Sequence, residues 1–252
     1  MGINAMPLLV NQVWPAPAKV NLFLHVTGRR TDGYHLLQTV FQFLEYGDTL
    51  RFTVREDGVI DRVTDVPGVQ EADDLTVRAG RLLQRVSKTK LGASIRIEKR
   101  LPLGGGLGGG SSNAATTLVA LNSLWALGLS TDELADIGLS LGADVPVFVR
   151  GKSAWAEGIG EILTPVELEE AWFLVITPPC NVSTALIFSD PELTRDHPPI
   201  TIRGFLAGNG RNDCEPVTLR RYPPVVYGFQ CLSWHGGARI SGMVASVFIS
   251  FG

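Results

Sequence analysis

The sequence predicts an α+β fold in two domains, and three observations support this class. Strand-like and helix-like segments alternate irregularly, with neither an internal repeat nor the regular period of a doubly wound parallel sheet. The chain has 252 residues, of which 45% are hydrophobic and 19% charged, so it can bury one large or two modest cores. A new strand-like segment follows Thr164-Pro165, which places the predicted domains at residues 1–163 and 164–252.

Alternating apolar residues and turn signals define the elements of the first hundred residues. In order, these are a strand over 19–26, a turn over 31–34, an apolar segment over 36–44, a strand over 50–54, a helix over 74–86 and a strand over 94–99. The first strand should be half-buried, because every second residue from Val20 to Val26 is apolar. Tyr46-Gly47-Asp48 should break the chain before the next strand, and an aspartate, Asp73 or Asp74, should cap the helix.

The later elements follow from caps, stops and prolines. They are a helix over 112–127, a helix over 131–141, a hairpin of residues 147–149 and 153–156, and a buried strand over 172–177. Gly128 is a helix stop, and Ser130 with Glu133 is typical of a helix start. The hairpin is predicted to turn at Gly151, and Pro178 should end the last of these strands.

The strongest functional signal is a run with six glycines in the seven positions from Gly104 to Gly110, between a predicted strand and a predicted helix. Glycine allows backbone N–H groups to approach a ligand closely. The start of the following helix offers unpaired N–H groups and the positive end of the helix dipole. The sequence therefore predicts a phosphate-binding loop.

Three other interpretations of this run fit less well. A Walker loop aligned at Gly104 requires lysine where Gly110 stands. The dinucleotide pattern G-x-G-x-x-G is matched, but no strand ending in an acidic residue follows about 20 residues later. A flexible linker is disfavoured because an apolar, alanine-rich helix follows at once.

Composition excludes several partner classes. The net charge is −3 and basic residues form no run, so we expect no nucleic-acid partner and no binding to an anionic membrane. Three cysteines without C-x-x-C spacing favour neither a disulfide framework nor a zinc site. The N-terminal apolar stretch is too short for a signal peptide or a span, so we expect a cytoplasmic protein.

Four residues outside the glycine run are candidates for chemistry. Lys19 is held by a strand and can bind a phosphate, although a solvated lysine on a strand face would look the same. Asp144 sits among small and apolar residues, as suits a base in phosphoryl transfer, or it is simply a turn aspartate. Tyr34 and His35 follow a turn and can stack on a ring, but half-buried packing explains a tyrosine there equally well.

Four ordered motifs together resemble the GHMP small-molecule kinases. They are Pro17-Ala18-Lys19-Val20-Asn21-Leu22, Arg30-Thr31-Asp32-Gly33-Tyr34-His35, the run from Leu101 to Ala115, and Gly142-Ala143-Asp144-Val145-Pro146. The resemblance implies ATP as co-substrate, with Mg²⁺, and a small alcohol as acceptor. Within the family the second and fourth motifs favour a member that phosphorylates the 2-hydroxyl of a cytidylated methylerythritol in non-mevalonate isoprenoid synthesis.

The resemblance also assigns roles to residues. Asp144 would be the base and Lys19 its charge partner, while Asn21 and His35 would contact the alcohol substrate and Tyr34 with Phe188 would enclose the cytosine. Lys99, with the region of Asp74, would lie near the adenine. The ATP phosphates would be wrapped by Pro102, Leu103, Gly104, Gly105, Gly106, Leu107, Gly108, Gly109, Gly110, Ser111 and Ser112.

The implied architecture is an N-terminal α+β domain like one in a ribosomal protein, joined to a ferredoxin-like C-terminal domain that we expect to be incomplete at Gly252. The family's second glycine motif, T-G-[ST]-G, is altered here to Ser241-Gly242-Met243-Val244. Asp74 stands where asparagine is common. We expect a monomer or weak homodimer. A catalytically impaired nucleotide-binding relative and a kinase of another small alcohol are the alternatives.

Overall fold

A computed structural model describes residues 12–242 and 245–251. It confirms the α+β class, since strands and helices both occur throughout the described chain. The chain forms two compact units, and neither is one continuous segment. Among the described residues, one unit comprises 12–17, 47–100 and 110–150, and the other comprises 18–46, 101–109, 151–242 and 245–251. The predicted boundary between residues 163 and 164 stays a prediction.

The described strands are β1 Trp14–Arg29, β2 His35–Arg55, β3 Ile60–Arg62, β4 Gly92–Glu98, β5 Ala154–Glu157, β6 Ile162–Pro165, β7 Trp172–Ile176, β8 Arg239–Ile240 and β9 Val247–Phe251. The α-helices are α1 Leu75–Ser87, α2 Gly109–Leu124, α3 Thr131–Leu139, α4 Val145–Arg150, α5 Thr184–Phe188, α6 Ile202–Gly204, α7 Glu215–Arg221 and α8 Pro223–Ser233. A 3₁₀ turn precedes α1 at Glu71–Asp73, and a π-type turn follows α6 at Phe205–Asn209.

In the first unit, helices cover a small sheet. The second half of β2 pairs antiparallel with β4, which also pairs in parallel with β3. Helix α1 packs against β3 and β4, and α3 packs against α4. The predicted caps are confirmed: the Asp74 side chain accepts a hydrogen bond from the Thr76 N–H, and Ser130 with Glu133 forms a complete capping box on α3.

The second unit contains two sets of paired strands. The first half of β2 pairs antiparallel with β5, which pairs with β6. Further along the chain, β9 pairs antiparallel with both β7 and β8. Its main core gathers buried apolar residues from β1, α5, α7, α8 and β9, including Leu24, Ile187, Val217, Leu232 and Ile249.

The prediction of a half-buried first strand was wrong, because β1 is buried on both faces from Ala18 to Val26 except for partly buried Leu22. The second face is covered by rings and polar partners. Phe23 lies 5.3 Å from Trp155 between ring centroids, and the next side chain on that face, His25, stacks on His197 at 3.5 Å. Sequence alternation identified the strand but not the neighbours that cover its mixed face.

The predicted break at Tyr46-Gly47-Asp48 is also wrong, since β2 continues through it to Arg55. Gly47 serves a close backbone approach within the strand. A Cβ at this position would lie 2.2 Å from the Ala16 carbonyl oxygen and 2.6 Å from Pro17 Cα. Only glycine allows the two segments to come this close. The glycine therefore marks a close backbone contact inside a continuous strand and not a turn.

Two further predictions need correction. Residues 147–149, predicted as one strand of a hairpin, belong to α4, because Pro146 suits a first helical turn and a short apolar run has no decisive period. The strand predicted over 172–177 is present as β7, but it is not buried: Trp172 is 84% exposed and Leu174 is 46% exposed.

Candidate active site

The glycine run adopts a conformation suited to anions. Gly104, Gly106 and Gly108 have φ angles of 70°, 73° and 73°, whereas Gly105 between the first two does not have positive φ. Alternation of left-handed and ordinary backbone turns successive N–H groups toward one side, and such concave arrangements bind phosphates. The predicted phosphate loop therefore has the backbone geometry that its function requires.

The loop leads directly into α2, which begins at Gly109, three residues earlier than predicted. The N–H groups of its first turn lack intrahelical partners, and the helix dipole is positive at this end. Ser112 is fully buried, and its hydroxyl has no hydrogen-bond partner among the described residues. Asn113 Oδ1 is also buried and has no hydrogen-bond partner among the described residues. The start of α2 thus presents polar groups without hydrogen-bond partners next to the predicted phosphate-binding loop.

Gly105 is held in place by residues far along the chain. The Ser246 hydroxyl donates to the Gly105 carbonyl at 2.5 Å and lies 2.8 Å from the Thr177 hydroxyl. A Cβ on Gly105 would lie 2.9 Å from Pro102 Cγ and 3.2 Å from Thr177 Cγ2. This position therefore has no room for a side chain, and its backbone is fixed by the residues that follow β7 and precede β9.

Lys19 lies on β1 and is only 5% exposed. Its backbone N–H donates to the Leu107 carbonyl of the glycine loop at 2.9 Å. Its ammonium donates to Asn21 Oδ1 at 2.6 Å and lies 5.2 Å from the centre of the Phe41 ring. The interpretation of Lys19 as a solvated lysine is therefore wrong, since its side chain is buried on β1 while its backbone contacts the glycine loop.

Asp144 lies in the turn immediately before α4 and is partly buried. The turn is closed by a hydrogen bond from the Val145 N–H to the Gly142 carbonyl at 3.1 Å. A Cβ on Gly142 would lie 3.9 Å from the Ser111 hydroxyl oxygen. The turn that carries Asp144 thus lies beside the first residues of α2.

Two residues predicted near the adenine have structural partners. The Lys99 ammonium donates to the buried Asp48 carboxylate at 2.5 Å, and the Arg100 N–H donates to its other oxygen at 2.7 Å. Asp74 pairs through one oxygen with Arg62 at 2.5 Å and caps α1 with the other. A carboxylate at position 74 therefore balances the buried Arg62 guanidinium, which an asparagine would not do.

The residues predicted to enclose a base differ in exposure. Tyr34 is 61% exposed, whereas His35 is 8% exposed and stacks on Phe188 with 4.4 Å between ring centroids and planes 8° apart. Arg195 Nε donates to His35 Nε2 at 3.2 Å. Because a guanidinium only donates, Nε2 must be an acceptor, which leaves the proton of the neutral ring on Nδ1. Burial, followed by the charges of Arg195 and Arg29, lowers the pKa of His35 and keeps it neutral.

Sequence reasoning did not identify Thr39, Ser246 or Arg195. Thr39 accepts from the Asn21 side chain, Ser246 holds the glycine loop and Arg195 bonds His35. Thr39 and Ser246 have only an indirect signal in the sequence. Thr39 interrupts an apolar segment, and Ser246 follows the altered second glycine motif. In that motif Gly242 is in the left-handed region at φ 66°. Met243 and Val244, the two residues that depart from the family's T-G-[ST]-G pattern, lie outside the described residues.

The described ranges lack two features, a membrane-spanning helix and a metal-binding cluster. Across residues 12–242 and 245–251, no helix has both the length and the apolar character needed to cross a membrane. Within the same ranges, no cluster of three or more histidine, cysteine, aspartate or glutamate side chains is arranged to hold a metal ion.

Comparison with known proteins gives consistent matches. Residues 74–152 match the GHMP kinases N terminal domain. A 4-diphosphocytidyl-2-C-methyl-D-erythritol kinase of Ectopseudomonas mendocina (strain ymp) is 58% identical over 251 residues, covering 100% of this chain and 86% of that protein. One of Pseudomonas savastanoi pv. phaseolicola (strain 1448A / Race 6) is 61% identical over 239 residues, covering 95% and 83%.

Solved structures agree with the sequence matches. A crystal structure of a 4-(cytidine 5'-diphospho)-2C-methyl-D-erythritol kinase is similar with a TM-score of 0.81 and 32% identity, covering 94% of this chain and 89% of that chain. The homoserine kinase of Cytophaga hutchinsonii has a TM-score of 0.68 at 17% identity, covering 100% and 87%, and this likeness shows a shared fold alone.

Proposed function

Because this chain belongs to the GHMP kinase family, in the group of the 4-diphosphocytidyl-2-C-methyl-D-erythritol kinases, we propose that it transfers the γ-phosphoryl group of ATP to the 2-hydroxyl of 4-diphosphocytidyl-2-C-methyl-D-erythritol. The products are ADP and the 2-phosphate, an intermediate of non-mevalonate isoprenoid synthesis. The observation that carries this proposal is the glycine loop with alternating φ that runs into the start of α2.

The loop and the first turn of α2 bind the ATP phosphates through backbone N–H groups. The unpartnered Ser112 hydroxyl supports this role, because a phosphate oxygen or a hydrated cation would satisfy it. Mg²⁺ would shield the phosphate charges when bound, and the Ser112 hydroxyl and Asn113 Oδ1, which lack a hydrogen-bond partner among the described residues, would hold it.

Asp144 accepts the proton of the 2-hydroxyl as its oxygen attacks the γ-phosphorus. A carboxylate suits this step because the proton leaves late, in a loose transition state. Lys19 stabilises the negative charge that develops near the attacking oxygen. Each assignment has its own support: the Lys19 backbone contacts Leu107 of the glycine loop, and Gly142 of the Asp144 turn lies close to Ser111 of α2.

Tyr34 and Phe188 stack on the two faces of the cytosine, and His35 donates from Nδ1 to an acceptor on the base. The exposed Tyr34 ring supports the role of Tyr34, and the bond from Arg195 to His35 Nε2, which leaves the proton on Nδ1, supports the role of His35 as a donor. Asn21 contacts the methylerythritol, and Lys99 lies near the adenine. We also propose a cytoplasmic location, no nucleic-acid partner and a monomeric or weakly dimeric state.

ADP release by the purified protein with ATP, Mg²⁺ and the cytidylated alcohol tests the proposal. We expect ADP only when all three are present, and none with homoserine or mevalonate in place of the alcohol. Asp144→Asn should abolish release and retain ATP binding. Asp136→Asn is the matched control, because it makes the same change on an exposed face of α3 and should leave the rate unchanged. ATP binding without turnover by the unchanged protein would contradict the proposal.

A further inference from the structure

A buried chain of hydrogen bonds connects the Lys19 side chain to the backbone of β1 through β2. The Lys19 ammonium donates to Asn21 Oδ1 at 2.6 Å, and Asn21 Nδ2 donates to Thr39 Oγ1 at 2.9 Å. The Thr39 hydroxyl in turn donates to the Phe23 carbonyl at 2.5 Å. All three side chains are at most 5% exposed, so water does not compete with these bonds.

The direction of every bond in this chain is fixed by its two ends. An ammonium group only donates and a carbonyl only accepts. The amide oxygen of Asn21 must therefore face Lys19, which turns its NH₂ group toward Thr39. The hydroxyl of Thr39 accepts that bond and has its single proton left for the Phe23 carbonyl. Removal of the hydroxyl would leave the buried Asn21 NH₂ group without this acceptor, so that only the bond from Lys19 would still orient the amide.

Neighbouring groups leave Asn21 little freedom to respond. Its backbone N–H donates to the Ser241 hydroxyl at 3.2 Å. A Cβ on Gly242 would lie 2.9 Å from Asn21 Oδ1, so the amide lies directly against the backbone of that glycine. The backbone of Asn21 is thus held, and the remaining freedom is rotation of its amide, which Thr39 controls.

We propose that Thr39 is a positioning residue for phosphoryl transfer, acting through Asn21 to hold the Lys19 ammonium at the phosphate loop. This inference rests on the role of Lys19 in the proposed function. Asn21 then has a positioning role through its oxygen and one N–H, in addition to the substrate contact proposed above. The requirement concerns the hydroxyl of residue 39 and not its size.

Thr39→Val and Thr39→Ser separate these two properties. Valine keeps the shape and removes the hydroxyl, which leaves the buried Asn21 NH₂ group without its acceptor. We expect kcat to fall about 10- to 100-fold, within the range for an unsatisfied buried donor. KM for ATP should change by less than about threefold, because neither Thr39 nor Asn21 is among the groups proposed to bind ATP. Serine keeps the hydroxyl, and its kcat should stay within about threefold of the unchanged protein.

Thr218→Val is the matched control. Thr218 is fully buried on α7, and its hydroxyl has no hydrogen-bond partner among the described residues, so the same substitution should leave kcat unchanged. A merely structural role of Thr39 would lower the melting temperature and leave kcat per folded molecule unchanged in both Thr39 variants. If Thr39→Val does not fold, Thr39→Ala is compared with Thr39→Ser by the same measurements.

A second readout does not need activity. In protein labelled with ¹⁵N, the side-chain amide signal of Asn21, assigned by its loss in Asn21→Ala, should shift in Thr39→Val and not in Thr39→Ser or Thr218→Val. An unchanged signal together with an unchanged kcat in Thr39→Val would overturn the inference. Failure of the proposed function is distinct, because the unchanged protein would then not phosphorylate the alcohol while the amide signal still shifted.

Discussion

Replacing His25 by phenylalanine should flatten the dependence of stability on pH. The His25 ring is fully buried on β1, stacks on His197 at 3.5 Å, and leaves Nδ1 without a hydrogen-bond partner among the described residues. Its Nε2 accepts from the Arg211 N–H at 3.3 Å. Burial and then the neighbouring His197 lower the pKa of His25 from 6.5 to about 4, with Asp213 opposing and Arg211 adding to the shift.

The sign and size of the effect follow from this shift. The unfolded chain binds a proton at His25 below a pH of about 6.5, whereas the folded protein does so only near pH 4. Between these values the unfolded state binds more protons, so the free energy of unfolding falls as the pH falls. A pH of about 5 lies about 1.5 units below the pKa of His25 in the unfolded chain. The free energy of unfolding at this pH is therefore about 2 kcal/mol lower than at about pH 7.5.

Denaturant unfolding at about pH 7.5 and about pH 5 measures this contribution. His25→Phe keeps a ring against Phe23 and His197 and cannot be protonated, so it should lose about 2 kcal/mol less than the unchanged protein over this interval. His235→Phe is the matched control, because His235 is exposed and should leave the pH dependence unchanged. An equal loss in His25→Phe and the unchanged protein would refute the reasoning.

Two further predictions concern the phosphate loop and the start of α1. Gly105→Ala should lower the free energy of unfolding by about 1–3 kcal/mol and raise KM for ATP, because its Cβ would lie 2.9 Å from Pro102 Cγ. Gly237→Ala, with nothing within 4 Å of its Cβ, should do neither, and equal melting temperatures and KM values for the two variants would refute this account. Asp74→Asn should cost about 3 kcal/mol in denaturant unfolding, because it leaves the buried Arg62 guanidinium without its carboxylate. Asp73→Asn, on an exposed residue, should cost almost nothing, and similar losses in both variants would contradict a structural role for Asp74.

Local signals were sufficient for the phosphate loop and for several helix starts. The glycine density from Gly104 to Gly110 indicated both the loop and the helix after it, and Ser130 with Glu133 indicated the cap of α3. These features depend on residues within one turn of each other, so composition and spacing determine them. The roles of Lys19 and Asp144 were predicted from the family motifs that contain them, because the spacing of the two residues along the chain gives no such indication.

Contacts over long sequence separations were not predictable in this way. Thr39 bonds Asn21 across 18 positions, and Ser246 bonds Gly105 across 141. Nothing in a single hydroxyl residue indicates which distant backbone it will meet. The burial of both faces of β1 has the same cause, since the neighbours of Phe23 and His25 come from later parts of the chain.

The most direct test of the central claim is the ³¹P NMR spectrum of the reaction product. Carbon 2 of the methylerythritol carries a methyl group and no hydrogen, so a phosphate on its oxygen has no three-bond coupling to a proton. We predict that a new phosphomonoester signal appears as a singlet in the proton-coupled spectrum while the γ-phosphate signal of ATP disappears. A doublet or triplet, which would indicate transfer to a hydroxyl on a carbon bearing hydrogen, or inorganic phosphate alone, would contradict the account.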